Sequence, residues 1–131
     1  MASANVDLVR SIYADWGRGD FSGLEWAHAE IEYVNPPGAI EPGTRRGRAA
    51  FRRAIASVLD GWETWHIEPR KLEAFGDQVA VVVSYRARGR ASGAEVTGLE
   101  SALWTVRDGK VVRYEWFHEP ADAFNAVRPT N

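Results

Sequence analysis

Leu8, Val9, Ile12, Tyr13 and Trp16 fall at i, i+1, i+4, i+5 and i+8, a single apolar face at helical spacing. The pattern predicts a helix over 5–16, with Asn5 as N-cap, Asp7 near the positive end, and Gly17 and Gly19 ending it. Asp20 is then placed to cap a short second helix carrying Phe21, Leu24 and Trp26. Ile31 to Asn35 reads as a strand halted by Pro36-Pro37-Gly38, with a loop running on to Gly47. Helical spacing returns over 48–60, where Phe51, Ala54, Ile55, Val58 and Leu59 share one side.

Beyond that point strands take over. Residues 65–75 carry Trp65, Ile67, Leu72 and Phe75 and close at the Gly76-Asp77 turn. Residues 78–90 set Val79, Val81, Val83 and Tyr85 on one face, with Ser84, Arg86 and Arg88 on the other. Ser92-Gly93 leads into 95–107, Asp108-Gly109 leads into 110–118, and Pro120 opens a short helix with Ala123, Phe124 and Val127. No linker or repeat interrupts the chain, so the expectation is one domain over 1–131 with its core at about 5–127. Helices followed by a three-stranded meander predict an α+β fold, a curved antiparallel sheet with the N-terminal helices packed on it.

The last hairpin admits two registers. A two-residue turn at Asp108-Gly109 pairs Arg107 with Lys110 and sets Trp104 on the face of Arg113. A three-residue turn with a glycine bulge groups Gly98, Glu100, Ala102, Trp104 and Val106 with Val112, Tyr114, Trp116 and His118. The second is preferred, because it separates a ring-rich face from a charged one.

Composition narrows the chemistry. The absence of cysteine removes disulfides, thiolate metal sites and a cysteine nucleophile, and three scattered histidines offer no metal-ligand spacing. A net charge of −2 argues against a nucleic-acid partner, and no apolar run approaches the roughly 20 residues of a membrane span. The N-terminus lacks the pattern of a secretory signal, so the expected location is cytoplasmic. Arg45, Arg46, Arg48, Arg52 and Arg53 form a basic cluster. With 14 Arg against 2 Lys, arginine is the default cation here and the cluster reads as a solvated face. Six Trp in 131 residues suggest either a rigid core or an aromatic-lined cavity, and taken together the rings are read as walling a ligand chamber built into a small core.

The segments RSIYADWGRGD, IEYVNPPG, GRAAFRRAI and ALWTVRDGKVVRYEWFHEP together resemble the SnoaL-like branch of the nuclear-transport-factor-2-like superfamily, over about residues 5–127. The resemblance implies a cone of curved sheet (a cystatin-like roll) with the N-terminal helices on its concave face, a deep apolar pocket, and dimerisation through the outer sheet face. It extends to ketosteroid isomerase, whose general-base position falls on Asn35 and whose oxyanion-hole positions fall near Ile12 and Ala102. None of these side chains can do that work. Limonene epoxide hydrolase is matched at Tyr33-Val34-Asn35, but its Asp-Arg-Asp relay falls on Tyr85, Val83 and Trp116. The acid/base Asp of the polyketide cyclases is likewise replaced, by Trp116.

A different set of groups is left. Glu100 projects from the ring-rich face, and a carboxylate in such surroundings can act as acid or base near neutral pH. His118, on the facing strand, is its expected partner. Tyr33 and Asn35 are placed to orient an oxyanion, and Tyr13, Trp16, Trp62, Tyr85, Trp104, Tyr114 and Trp116 are expected to line the pocket. The expected ligand is a small apolar or aromatic ring compound with a carbonyl or hydroxyl. It is either transformed without cofactor or metal (isomerase, cyclase or dehydratase chemistry) or bound without turnover. Leu99, Leu103, Val111 and Phe117, expected on the outer face, suggest a homodimer.

Overall fold

The computed structural model describes residues 2–128, and the two ends of the expected domain, Met1 and 129–131, lie outside the described residues. Val9, Ile12, Tyr13 and Trp16 are all buried, so the apolar stripe of α1 (Ala2–Gly17) is the face laid on the sheet. The helix begins at Ala2, which puts Asn5 inside it rather than at its cap. No helix follows Asp20. Its carboxylate accepts from the Ser22 N–H at 3.1 Å and the Ser22 hydroxyl at 2.7 Å, a local turn that competes with helix initiation.

Strand β1 (Ala27–Asn35) is followed by β2 (Gly43–Arg46), α2 (Arg48–Asp60), β3 (Trp62–Phe75), β4 (Gln78–Gly89), β5 (Glu95–Arg107), β6 (Lys110–Phe117) and α3 (Asp122–Asn125). Strand β2 lies in what reads as loop, because four polar residues carry no alternation to detect. The six strands lie in the order β2-β1-β6-β5-β4-β3. Every pairing is antiparallel except β1 with β6, which run parallel with Tyr33 opposite Tyr114. That parallel join corrects the purely antiparallel expectation. Tight turns dictate the meander, whereas β1 and β6 are neighbours in the sheet but separated along the chain by every other strand and α2.

The β5–β6 hairpin combines both expected registers. Its turn is the two-residue form, with Asp108 at φ 52° and Gly109 at φ 77° and Arg107 opposite Lys110. One pair further on, β6 carries an extra residue, so Val106 faces Val111 while Thr105 faces Arg113. Beyond this bulge Trp104 lies opposite Tyr114 and Ala102 opposite Trp116, which groups the rings as preferred. The expected glycine bulge in the turn is thus replaced by a bulge in the strand. There Val111 turns its N–H to the Trp26 carbonyl at 2.8 Å.

Val79, Val81 and Val83 of β4 join Ala102, Trp104 and Val106 of β5 in the concave core, closed by α1 and by Phe51 of α2. The convex face is partly covered by the chain's own C-terminal segment. Ser101 Oγ donates to the Glu119 carbonyl at 2.7 Å and accepts from the Ala123 N–H at 3.0 Å. Phe75, Phe117, Phe124 and Val127 pack there around Leu103 and Ala123. This corrects the outer apolar set: Leu103 lies under α3, Phe117 packs beside it, and Val111 belongs to the concave core. Of the four, Leu99 alone is exposed, at 49%.

The basic cluster is more than a solvated face. The Arg48 guanidinium donates twice to the Ala27 carbonyl, at 2.9 and 2.6 Å, fixing the start of α2 to β1. Arg46 bonds Glu32 at 2.6 Å and Arg45 bonds Glu41 at 3.0 Å, both at the surface, and Arg46, Arg48, Arg52 and Arg53 are exposed as a solvated face requires.

Candidate functional site

In the concave core five of the expected pocket rings, Tyr13, Trp16, Tyr33, Trp104 and Tyr114, pack on one another. Trp104, with no exposed surface, lies 4.6 Å from Tyr114, 5.5 Å from Tyr13 and 5.6 Å from Trp16, centroid to centroid. Tyr33 continues the cluster at 5.4 Å from Tyr114 and 5.1 Å from Phe51. Trp26 joins it too, 5.8 Å from Trp104. Edge-to-face and tilted pairs of this kind contribute about 0.5–1.5 kcal/mol each beyond the area they bury. Trp104 Nε1 donates to the Tyr13 hydroxyl at 3.1 Å, so a fully buried indole N–H is satisfied.

A second group forms around the end of β1. Trp116 Nε1 donates to Asn35 Oδ1 at 2.5 Å, and Asn35 Nδ2 donates to the Glu41 carbonyl at 2.8 Å. Both ends of the amide are therefore engaged, which fixes its orientation and ties β1 to β6. His118 is exposed just past the end of β6, its ring edge-on to Trp116 at 5.0 Å. The β5–β6 ladder stops at Ser101 opposite Phe117, one residue short of joining Glu100 to His118. No hydrogen bond or ion pair links those two side chains among the described residues.

The third group lies toward the other end of the sheet. Trp62 stands 5.9 Å from Trp65, and Trp65 stacks on Tyr85 at 6.1 Å with planes only 10° apart. The six Trp therefore do not wall one chamber. Trp16, Trp26 and Trp104 fill the core, Trp62 and Trp65 pair near Tyr85, and Trp116 holds the β1–β6 junction. A cavity of about 830 Å³ is bounded by α1 and by strands β3, β4 and β5. Its helical wall is Arg10, Tyr13, Ala14 and Gly17, one stripe at i, i+3, i+4 and i+7. Its strand walls include the inward-facing Ile67, Tyr85 and Gly98 together with flanking residues such as Pro69, Ser84 and Leu99. Of the expected site residues only Tyr13 and Tyr85 line it, and Glu100 lies one inward position beyond Gly98 along β5.

Glu100 lies opposite Val83 and two residues from Ala102, both buried on the concave face, so its side chain belongs to that face. Burial pushes its carboxyl up from an ordinary value near 4.5 to about 7. It has no hydrogen-bond or salt-bridge partner among the described residues. Burial also raises the Tyr13, Tyr33 and Tyr114 hydroxyls, Tyr33 to about 12, and the nearby Glu100 charge adds to the rise in all three. The three phenols therefore stay protonated around a carboxyl that titrates near neutrality. Such a group can give or take a proton at physiological pH.

Sequence reasoning places Glu100 and the rings of β5 and β6 on the concave face by strand alternation. It places Gly98 on that face too but gives it no role, and it passes over Arg10, Ala14 and Gly17 as cavity wall. Two small residues, Ala14 and Gly17, following Arg10 and Tyr13 at helical spacing are the signal that marks this cavity wall. Among the described residues no cluster of His, Asp or Glu suits a metal ion, and no helix is long and apolar enough to cross a membrane.

This architecture is an α+β cone, with two N-terminal helices on the concave face of a curved six-stranded sheet. The SnoaL-like domain model matches residues 9–114, and the chain belongs to that family. An uncharacterized protein of Mycobacterium tuberculosis is 31% identical over 123 residues, 90% of this chain and 92% of that one. Among solved structures, TerC co-crystallized with polyporic acid is 28% identical with a TM-score of 0.79, covering 93% of this chain and 95% of that chain. A protein from a Jannaschia species, named for the SnoaL-like polyketide cyclases, shares the fold at 15% identity with a TM-score of 0.80, covering 99% and 95%.

Proposed function

We propose that this chain binds a small ring compound bearing a carbonyl or hydroxyl and moves a proton on it through Glu100, without cofactor or metal. The observation that carries the reading is the Glu100 carboxyl itself. It lies on the concave face, without a salt-bridge partner among the described residues, where burial favours its neutral form. An acid kept neutral near pH 7 can protonate a carbonyl oxygen, and its conjugate base can take a proton from carbon or oxygen. The co-crystallization of TerC with polyporic acid, a hydroxyquinone carrying aryl rings, supports the ligand class. Isomerisation, cyclisation and dehydration all begin with such a transfer, cyclisation then closing a ring bond at the enolate carbon and dehydration releasing a hydroxyl as water.

One observation favours a binding protein without turnover. At the position that supplies the base in the isomerases of this superfamily stands Asn35, whose amide is occupied by Trp116 and the Glu41 carbonyl. Absorbance assays with ring ketones and hydroxyquinones, run from pH 5 to 9, separate the two readings. Turnover governed by one ionisation near pH 7 and lost in Glu100→Gln supports the enzyme. Saturable quenching of Trp fluorescence by polyporic acid, equal in wild type and Glu100→Gln and without product, supports the binder.

The proposal also includes a homodimer through the outer sheet face. Its support there is now Leu99 and the half-buried Glu32–Arg113–Glu115 charges, with Arg113 bonded to Glu32 at 3.0 Å. Sedimentation of wild type against Leu99→Glu tests this, a shift from dimer to monomer being the expected result.

A further inference from the structure

Three polar groups of the concave face that could meet a ligand are already tied up. Tyr13 accepts from Trp104, and Asn35 and Trp116 hold each other. Tyr114, like Glu100, is not among the residues that line the cavity, and its ring is packed against Trp104, Tyr33 and Trp16. Tyr85 is different. It is half-buried, lines the 830 Å³ cavity, and has no hydrogen-bond partner for its hydroxyl among the described residues.

Its position depends on Gly98, the residue opposite it on β5. A Cβ built on Gly98 meets the Tyr85 hydroxyl oxygen at 2.5 Å and its ring carbon Cζ at 2.8 Å, so any larger residue there displaces the ring. Trp65, stacked on the same ring, holds it from the other strand. Tyr85 is thus laid across β5 with its hydroxyl over Gly98. Gly98 and Glu100 share a face two residues apart, about 6.6 Å along an extended strand.

We propose that Tyr85 is the ligand-positioning residue of this site: its hydroxyl donates to an oxygen of a planar ring ligand and so directs the ring toward Glu100. Gly98 is small because that hydroxyl occupies the space above it. This assignment rests on the reading of Glu100 as the proton-transfer group, and it narrows the ligand to a flat ring with an acceptor oxygen beside the reacting position. The recognition is two-pointed, with Tyr85 supplying a neutral donor and Glu100 the group that exchanges a proton.

The test uses two probes, a hydroxynaphthoquinone and naphthalene, titrated against Trp fluorescence in wild type, Tyr85→Phe, Gly98→Ala and Glu100→Gln. Tyr85→Phe keeps the ring and its stack on Trp65. It is expected to weaken the hydroxyquinone about tenfold, the worth of one hydrogen bond, and to leave naphthalene unchanged. Gly98→Ala is expected to reproduce the selective loss, and the double variant to lose little more than either single one. Equal affinity of Tyr85→Phe and wild type for the hydroxyquinone overturns the assignment. An equal loss for both probes overturns it too, by making Tyr85 a packing ring only. So does failure of the wild type to bind the hydroxyquinone. Glu100→Gln reads the other reading separately: if it leaves the pH dependence of hydroxyquinone binding unchanged, the proton-transfer role of Glu100 fails while the Tyr85 result still stands.

Discussion

The indole N–H of Trp104 and the hydroxyl of Tyr13 meet at 3.1 Å across 91 residues of sequence, and their bond pins α1 to the middle of the sheet. Both side chains are buried, so neither has water as an alternative partner. Tyr13→Phe keeps the ring contacts but leaves the Trp104 N–H unsatisfied, at a cost of about 1–3 kcal/mol. Urea unfolding of the variant should show a lower midpoint with an unchanged m-value.

The contact between Asn35 and Trp116 makes a second, separable prediction. Trp116→Phe removes the donor and Asn35→Ala removes the acceptor together with the bond to the Glu41 carbonyl. Asn35→Ala should therefore be the more damaging single change, because it frees the 35–41 loop as well. A double-mutant cycle isolates the shared bond, with an expected coupling of about 1 kcal/mol. A coupling near zero means that the two groups do not hold each other in solution.

Glu100 makes stability depend on pH in an unusual direction for a carboxylate. Its folded value of about 7 lies above the ordinary 4.5 of an unfolded chain, so between these values the folded state holds the extra proton. Stability from this group is thus fully present below about pH 4.5 and is lost as pH rises toward 7 and beyond. The shift corresponds to about 3 kcal/mol at most. Glu100→Gln removes the penalty, so the variant should gain stability over wild type as pH rises from 5 to 8 and match it at pH 4.5. Paired denaturant titrations at these values measure the difference directly, and a flat difference contradicts the buried carboxyl.

How far the sequence foretold this molecule depends on whether a local pattern existed. The α1 stripe, α2 and the strands β3 to β6 show alternation or helical spacing, and each was placed to within a few residues. Strand β2 has four polar residues and no pattern, and the parallel pairing of β1 with β6 is a long-range fact that no turn announces. Strand parity was enough to put Glu100 on the concave face. It could not show that Asn35 is occupied, that His118 falls beyond the ladder, or that Trp62 pairs with Trp65 rather than joining the core. Those outcomes depend on where strands end and how rings pack, which one-dimensional periodicity does not carry.

The hairpin between β5 and β6 gives the last prediction, because turn and register are decoupled in it. Gly109 sits at φ 77°, where a side chain is strained, whereas Asp108 at φ 52° is a residue type that tolerates the left-handed region. Gly109→Ala should cost about 1–2 kcal/mol, while Asp108→Gly should change stability little. The pairing of Trp104 with Tyr114 is set beyond the turn, at the bulge where Val111 gives its N–H to Trp26. Gly109→Ala should therefore lower the unfolding midpoint and yet leave hydroxynaphthoquinone affinity at the wild-type level. If affinity falls together with stability, the turn sets the register of the rings, and the bulge at Val111 is a consequence of the turn rather than an independent anchor.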